Sequence, residues 1–155
     1  MIPDKNKRVS DRDEESLNAV EEVLSALNGD SDKSPKSPFL IIVEGRRDIL
    51  SLRNLGINED IEIVKCANKP TAEFCEKIAE TGKSAVILTD WDRKGGILAS
   101  RLAEQFQNLN VPYYTEYRET LLFYTKKEIK DVESLFSYVG KMKNSDDEEE
   151  DIKRF

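Results

Sequence analysis

The sequence predicts an α/β domain built on a parallel sheet of four strands, with an additional helix before it. Short apolar runs alternate four times with amphipathic helical patterns along the chain. Glycines, prolines or charged residues bound these runs, which are too short to be core helices. Continuous apolar runs of this length are typical of strands buried on both faces. Strands that alternate with helices favour a doubly wound parallel sheet with right-handed crossovers.

The elements follow from these patterns in chain order. Strands are expected at residues 39–43, 61–64, 84–89 and 111–115. Helices are expected at residues 11–27, 46–55, 70–80, 97–109 and, for most of their length, 119–138. Leu98, Leu102 and Phe106 recur at helical spacing, which predicts a core-facing stripe. In the last helix, Leu135 and Phe136 are among the positions expected to face inward.

Composition divides the chain into three parts. Residues 1–37 form an N-terminal arm, in which an amphipathic helix precedes the linker-like run GDSDKSPKSP. Residues 38–140 hold the α/β domain, and residues 141–155 form an acidic tail, expected to be disordered because it contains the run SDDEEED. The N-terminal helix is expected either to dock on the domain or to wait for a protein partner, and the acidic tail is a second candidate partner site.

The composition also excludes several classes of site. The chain has 155 residues, a formal net charge of −7, and no histidine, so a histidine-ligated zinc site and a histidine general base are excluded. Cys66 and Cys75 do not form a CxxC pair. No stretch approaches the roughly 18 apolar residues of a membrane span, so no membrane role is predicted and the cytoplasm is the expected compartment.

Three carboxylates are predicted to meet at one edge of the sheet. Glu44 ends the first strand, Asp90 ends the third, and Asp92 lies one residue further on. Ligands bind outside the carboxyl ends of the strands in open α/β sheets. Carboxylates crowded there repel one another unless a cation or a raised pKa neutralises them. Mg²⁺, or alternatively Mn²⁺, is therefore the expected cofactor, although three solvated loop acids remain an alternative.

Basic residues are expected to frame the same crevice. They are Arg46, Arg47, Lys69, Arg93 and Lys94. A metal ion surrounded by lysines and arginines suits a phosphodiester, because the cation and the side chains bind different phosphate oxygens. Nucleic acid is therefore the expected partner.

Two motifs carry a resemblance to a known family. The run IVEGRRD at residues 42–48 and the run LTDWDRKG at residues 88–95 resemble the Glu motif and the Asp-x-Asp motif of Toprim domains. Topoisomerases, bacterial-type primases, 5S rRNA maturase ribonucleases and overcoming-lysogenization-type nucleases share this module. The chain is similar to the small standalone Toprim proteins of archaea and bacteria. The resemblance implies a Rossmann-like sheet of four parallel strands flanked by helices.

The resemblance also implies roles for individual residues. Glu44 would be the general acid/base or a metal ligand, Asp90 and Asp92 would hold Mg²⁺, and Gly45 and Gly95 would shape the turns. Asp48 matches an acid that follows in the Glu motif. An interpretation of equal weight is that Asp48 is an ordinary acid in the first turn of a helix. Trp91 is expected either to pack against the sheet edge or to stack on a base.

Two functions remain open at this point. The first is Mg²⁺-dependent phosphodiester chemistry by a small nuclease acting on structured RNA or DNA, in RNA processing or in DNA repair or replication. The second is a non-catalytic Toprim module that binds nucleic acid or recruits a protein partner to a nucleic-acid-processing complex. The chain has no room for the further domains of a topoisomerase or a primase. The sequence leaves the oligomeric state open.

Overall fold

Strands and helices alternate along the part of the chain that the structure describes. The structure is a computed structural model, and it describes the backbone of residues 5–64 and 70–153 and the side chains of residues 11–64 and 70–144. The strands are β1 (Phe39–Val43), β2 (Asp60–Ile63), β3 (Ser84–Ile87) and β4 (Tyr113–Tyr114). The helices are α1 (Lys5–Leu27), α2 (Arg46–Asn54), α3 (Thr71–Glu80), α4 (Arg93–Asn108), α5 (Glu116–Thr125) and α6 (Leu135–Lys153).

The four strands form one parallel sheet in the order β2-β1-β3-β4. Ile41 of β1 lies opposite Ile61 of β2 on one side and Val86 of β3 on the other. This confirms the predicted fold class. β1 and β3 are neighbours at the centre, and the chain leaves them toward opposite edges of the sheet. Their carboxyl ends therefore form a topological switch point, where α/β sheets bind ligands.

Two hydrophobic cores lie on opposite faces of this sheet. Successive side chains of a strand point to opposite faces, so Phe39, Ile41 and Val43 enter one core while Leu40 and Ile42 enter the other. The first core is covered by α1, α2, α5 and α6, and the second by α3 and α4. All five residues of β1 are buried, as the continuous apolar run predicts.

Helix α1 is docked on the domain. Leu17, Val20 and Leu27 are buried in the first core, where α1 packs against α5 and α6. The helix begins at Lys5, so the predicted start near residue 11 is wrong. Within residues 5–64 and 70–153, none of the helices combines the length and the apolar composition that a membrane crossing requires.

The predicted long helix at residues 119–138 is in fact two helices separated by turns at residues 126–134. This interruption buries Val132 completely and brings the Lys130 carbonyl to the main-chain N–H of Trp91, 2.9 Å away. The inward orientation predicted for Phe136 is wrong, because its side chain is 46% exposed while Leu135 and Tyr138 face the core. Helix α6 is described as far as Lys153, and the disorder expected for the acidic tail at residues 141–155 stays a prediction.

Candidate metal centre

Glu44 and Asp90 meet at the carboxyl ends of the two central strands. Glu44 directly follows β1 and the residue is only 8% exposed. The main-chain N–H of Asp90 donates a hydrogen bond of 2.7 Å to Glu44 Oε2. The parallel pairing of β1 with β3 brings these residues together because it places both strand ends at one edge.

Asp90 carries an unsatisfied buried oxygen. Its Oδ1 atom is buried and has no hydrogen-bond partner among the described residues. The pKa of Asp90 is raised from 3.8 to about 7, first by burial, then by the charges of Glu44 and Asp48, by a hydrogen bond to the Glu44 side chain and by the charge of Asp131. A carboxylate in this environment needs a proton or a cation to compensate its charge.

Asp92 lies on the same turn but has a structural partner. It is the N-cap of α4, and its Oδ1 accepts a hydrogen bond of 2.7 Å from the Gly95 N–H. Across the described ranges, no group of three or more acidic or cysteine side chains is arranged to hold a metal ion. Mg²⁺ commonly binds through only one or two carboxylates and keeps several waters. The pair formed by Glu44 and Asp90 fits that mode of binding.

Gly45 and Gly95 were both expected to shape the site, but a glycine is required for steric reasons only at position 95. A Cβ on Gly95 would lie 1.9 Å from the Asp90 carbonyl oxygen, so no other residue fits there without movement of the chain. Gly45 is the N-cap of α2 with extended backbone (φ −153°). A Cβ on Gly45 would meet its nearest atom, Asp48 Oδ2, at 4.0 Å, so no close contact requires a glycine.

The basic residues described by the structure lie at two helix starts beside the crevice. Arg46 and Arg47 open α2, Arg93 and Lys94 open α4, and all four side chains are exposed. Helix N-termini attract anions because their N–H groups and dipoles point outward. Arg47 also pairs with Glu133, with 3.4 Å between Nη1 and Oε1. Lys69 falls outside the described residues.

Two residues near the site were not predicted from the sequence. Asp131 lies in the turns before α6, and its charge raises the pKa of both Asp90 and Asp48. Arg118 lies on α5, where its Nε donates to the Thr89 carbonyl at 3.0 Å and its Nη2 to the Asp90 carbonyl at 2.7 Å. Neither belongs to a motif, so only their three-dimensional placement reveals them.

Asp48 and Trp91 have structural roles in the site. The buried Asp48 carboxylate accepts a hydrogen bond of 3.0 Å from the Gly45 N–H, and so caps α2. Burial is the main cause of its raised pKa. The Trp91 side chain packs against the first core and is partly buried, and its buried Nε1 finds no hydrogen-bond partner within the described ranges. This placement favours packing at the sheet edge over base stacking.

Comparison with known proteins identifies the family. The family model described as Toprim domain matches residues 39–120, which span the sheet and both motif regions. The chain belongs to the Toprim family. The resemblance of the two motifs is thereby confirmed, and membership of this family connects the chain with a metal-dependent function related to nucleic acids.

Relatives of this Toprim protein are small proteins of similar length. A UPF0292 protein of Methanosarcina barkeri is 45% identical over 127 residues, covering 82% of this chain and 85% of the relative. A UPF0292 protein of Methanocaldococcus jannaschii is 34% identical over 131 residues, covering 84% of this chain and 97% of the relative. A solved structure of a putative protein from Aquifex aeolicus shares the fold, with a TM-score of 0.55, 18% identity, and coverage of 76% of this chain and 94% of that one.

Proposed function

We propose that this Toprim protein carries out Mg²⁺-dependent phosphodiester chemistry on nucleic acid, as a small nuclease acting on structured RNA or DNA. The observation that supports this most strongly is that the Asp90 N–H donates to Glu44 Oε2 while the buried Asp90 Oδ1 has no hydrogen-bond partner in the described part of the chain. A divalent cation would satisfy that oxygen and offset the repulsion between the two carboxylates.

Glu44 and Asp90 are the proposed ligands of the cation. Asp92 adds a third negative charge close by, on the turn that leads into α4. Mn²⁺ also prefers oxygen ligands and could replace Mg²⁺. When bound, the cation supplies positive charge that stabilises the charge developing on a phosphate group.

The surrounding cations suit a polyanionic substrate. Arg46 and Arg47 on α2, and Arg93 and Lys94 on α4, are exposed at the starts of the helices that follow β1 and β3. We assign to them the binding of phosphates on either side of the reacting group. Lys69 belongs to this set by its sequence position alone. The chain as a whole is acidic, which favours recognition of a local structure over coating of long duplexes.

Glu44 is the proposed proton acceptor or donor of the reaction. It is almost fully buried, it directly follows a central strand, and it contacts the carboxylate whose pKa is the most strongly raised of the site's acids. This position beside the proposed cation is the basis for the role.

One observation favours a second candidate function, a non-catalytic module that binds nucleic acid or recruits a protein partner. Asp92 is engaged in capping α4, and no cluster of three acids in the described part of the chain is arranged around a metal position. In that case Glu44 and Asp90 would hold a cation for docking rather than for turnover. The exposed face of α1 and the acidic segment of α6 would be the candidate partner surfaces.

A cleavage assay separates the two functions. Structured RNA, single-stranded DNA and duplex DNA are incubated with the full chain in Mg²⁺, Mn²⁺ or EDTA. Glu44→Gln and Asp90→Asn are compared with Glu104→Gln, which makes the same chemical change at an exposed position of α4. We expect cation-dependent cleavage that falls by about 100-fold or more in both site variants and is unchanged in the control.

The alternative outcomes are equally specific. Binding without cleavage, retained in Glu44→Gln, would support the non-catalytic module. Cleavage that persists in EDTA, or that survives both site substitutions, would contradict the proposed function.

A further inference from the structure

Arg118 is a buried cation bonded to the main chain of the site. Its side chain lies on α5 and the residue is only 8% exposed. Nε donates to the Thr89 carbonyl at 3.0 Å, and Nη2 donates to the Asp90 carbonyl at 2.7 Å. A guanidinium is suited to this task because its fixed fork of N–H groups reaches two acceptors at once. It therefore spans two successive peptide units of the turn that carries Asp90.

These two carbonyls lie beyond the strand ladder. The last paired residue of β3 is Ile87, and the N–H of Leu88 donates to the Ile42 carbonyl at 2.8 Å. Thr89 and Asp90 follow where no strand partner continues, and Thr89 is fully buried. Buried carbonyls need donors. Arg118 supplies the donors that the sheet no longer provides.

Further contacts restrain the same peptide units. The Asp90 carbonyl lies so close to Gly95 that a Cβ there would be 1.9 Å from its oxygen. Thr89 Oγ1 donates to the Gly95 carbonyl at 2.7 Å, and the Asp90 N–H donates to Glu44 Oε2. With Arg118 on the Asp90 carbonyl, both polar groups of the Asp90 main chain are held. The direction of the Asp90 side chain depends on these restraints.

Arg118 also contributes charge without occupying carboxylate oxygens. The charges of Glu44, Asp92 and Asp90 act on it and oppose the lowering of its pKa by burial. The hydrogen bonds described for its guanidinium go to carbonyl oxygens. Its positive charge therefore offsets part of the repulsion among the acids while Asp90 Oδ1 is left for another ligand.

We propose that Arg118 is a positioning residue, which holds the turn at Thr89 and Asp90 so that the Asp90 carboxylate faces Glu44 and a divalent cation between them. This inference rests on the proposed function, because it assumes a cation at the pair formed by Glu44 and Asp90. It predicts two separable effects of substitution, one in the metal-free protein and one on cation affinity.

The first test needs no metal. Amide hydrogen exchange of Asp90 and Trp91 is measured by NMR in EDTA for the wild type, Arg118→Lys and Arg118→Gln. We expect exchange at these two amides to accelerate by about tenfold or more, the factor that loss of a hydrogen bond from a charged group produces. Amides inside α4, such as that of Leu102, report global opening and should change far less.

The second test measures cation affinity. Trp91 is the only tryptophan of the chain and follows Asp90 directly, so its fluorescence reports Mn²⁺ titrations. Loss of groups that orient a ligand typically weakens metal binding by about 10- to 100-fold. We expect a weakening of that order in Arg118→Gln and a smaller one in Arg118→Lys, which keeps the charge.

Arg53 provides a matched control. It is also an arginine that holds two loop carbonyls, those of Ile57 and Glu59, at 2.8 and 2.7 Å, but in the connection from α2 to β2. Arg53→Gln should leave both the Asp90 exchange rate and the Mn²⁺ affinity unchanged. If Arg118→Gln does not fold, Arg118→Lys alone decides the comparison.

The outcomes separate this inference from the function on which it rests. If the wild type binds Mn²⁺ and both Arg118 variants keep its affinity and its exchange rates, the positioning role is overturned and the proposed function stays intact. Absence of Mn²⁺ binding by the wild type overturns the proposed function, and the role of Arg118 toward a cation with it, whatever the exchange rates show. If amide exchange accelerated equally at Asp90 and Leu102, Arg118 would stabilise the fold as a whole and would not be a positioning residue of the site.

Discussion

The main-chain N–H of Asp90 donates to Glu44 Oε2 at 2.7 Å, which joins two residues that lie 46 positions apart in the chain. The contact exists because β1 and β3 are parallel neighbours at the centre of the sheet. It places one carboxylate against the backbone of another acid. Burial, followed by the negative charge of Glu44, raises the pKa of Asp90, and several consequences can be measured.

The stability of the metal-free protein should depend on the protonation of Asp90. Burial, followed by the charge of Glu44, raises its pKa from 3.8 to about 7. The folded state therefore binds more protons than the unfolded state between about pH 4 and pH 7, and the free energy of unfolding should fall as the pH rises through this window. Above about pH 7 this contribution is lost. Urea denaturation in EDTA at a series of pH values measures the slope.

Asp90→Asn should flatten that pH dependence. The amide cannot ionise, so above pH 7 we expect the variant to be more stable than the metal-free wild type by on the order of 1–2 kcal/mol, after allowance for solvent screening. Glu104→Gln, at an exposed position, should keep the slope of the wild type. An unchanged slope in Asp90→Asn would assign the dependence to other groups.

Mg²⁺ should stabilise the folded protein, and more strongly at pH 8 than at pH 5.5. At the lower pH a cation must displace the proton held by Asp90, whereas at the higher pH that proton is already lost. Thermal unfolding with and without Mg²⁺ at both pH values measures the effect, with EDTA returning Tm to its starting value. Equal shifts in Glu44→Gln and the wild type would place the cation elsewhere.

Gly95 and Gly96 should differ sharply in their tolerance of alanine. A Cβ at position 95 would lie 1.9 Å from the Asp90 carbonyl oxygen, whereas at position 96 its nearest atom is Arg118 Nη2 at 3.8 Å. We expect Gly95→Ala to cost about 3 kcal/mol of stability. Gly96→Ala should be neutral or stabilising by up to about 1 kcal/mol. Urea denaturation measures both, and equal effects would mean that the turn at Asp90 can move freely.

Substitution of the exposed cations should weaken nucleic-acid binding in a salt-dependent way. Arg46→Gln and Arg93→Gln each remove one charge at a helix start beside the crevice. If each contacts a phosphate, the slope of log affinity against log salt should fall by about one per substitution. Arg101→Gln, further along α4, is the control of equal charge. Fluorescence anisotropy over a salt series provides the measurement, and equal slopes in all three variants would argue against the assigned surface.

Much of this fold could be predicted from the sequence because its strands are buried on both faces. A continuous apolar run such as residues 39–43 predicts such a strand, and the residue after it must lie at the sheet edge. Parallel strands end at the same edge of a sheet. Glu44 and Asp90 could therefore be predicted as neighbours from the sequence alone.

Other features could not be predicted, for physical reasons. The segment between α5 and α6 contains no glycine or proline. The local signal for the break is Asp131, whose Oδ1 accepts a hydrogen bond of 2.8 Å from the Ser134 N–H, and a single aspartate is too common in helices to predict it. Arg118 occupies a helix position at which a charged residue is normally solvated, and its burial results from tertiary packing. The exposed Phe136 follows from the same break, because α6 starts at Leu135 with a new orientation of its apolar face.

The central claim is that Glu44 and Asp90 together hold a divalent cation. Titration of the full chain with Mn²⁺, with free ion counted by electron paramagnetic resonance, tests it directly for the wild type, Glu44→Gln, Asp90→Asn and Glu104→Gln. We predict a single saturable site in the wild type and in Glu104→Gln that is lost or strongly weakened in the other two variants, with Mg²⁺ competing for it. Saturable binding that persists in both Glu44→Gln and Asp90→Asn, or none in the wild type, would contradict the account.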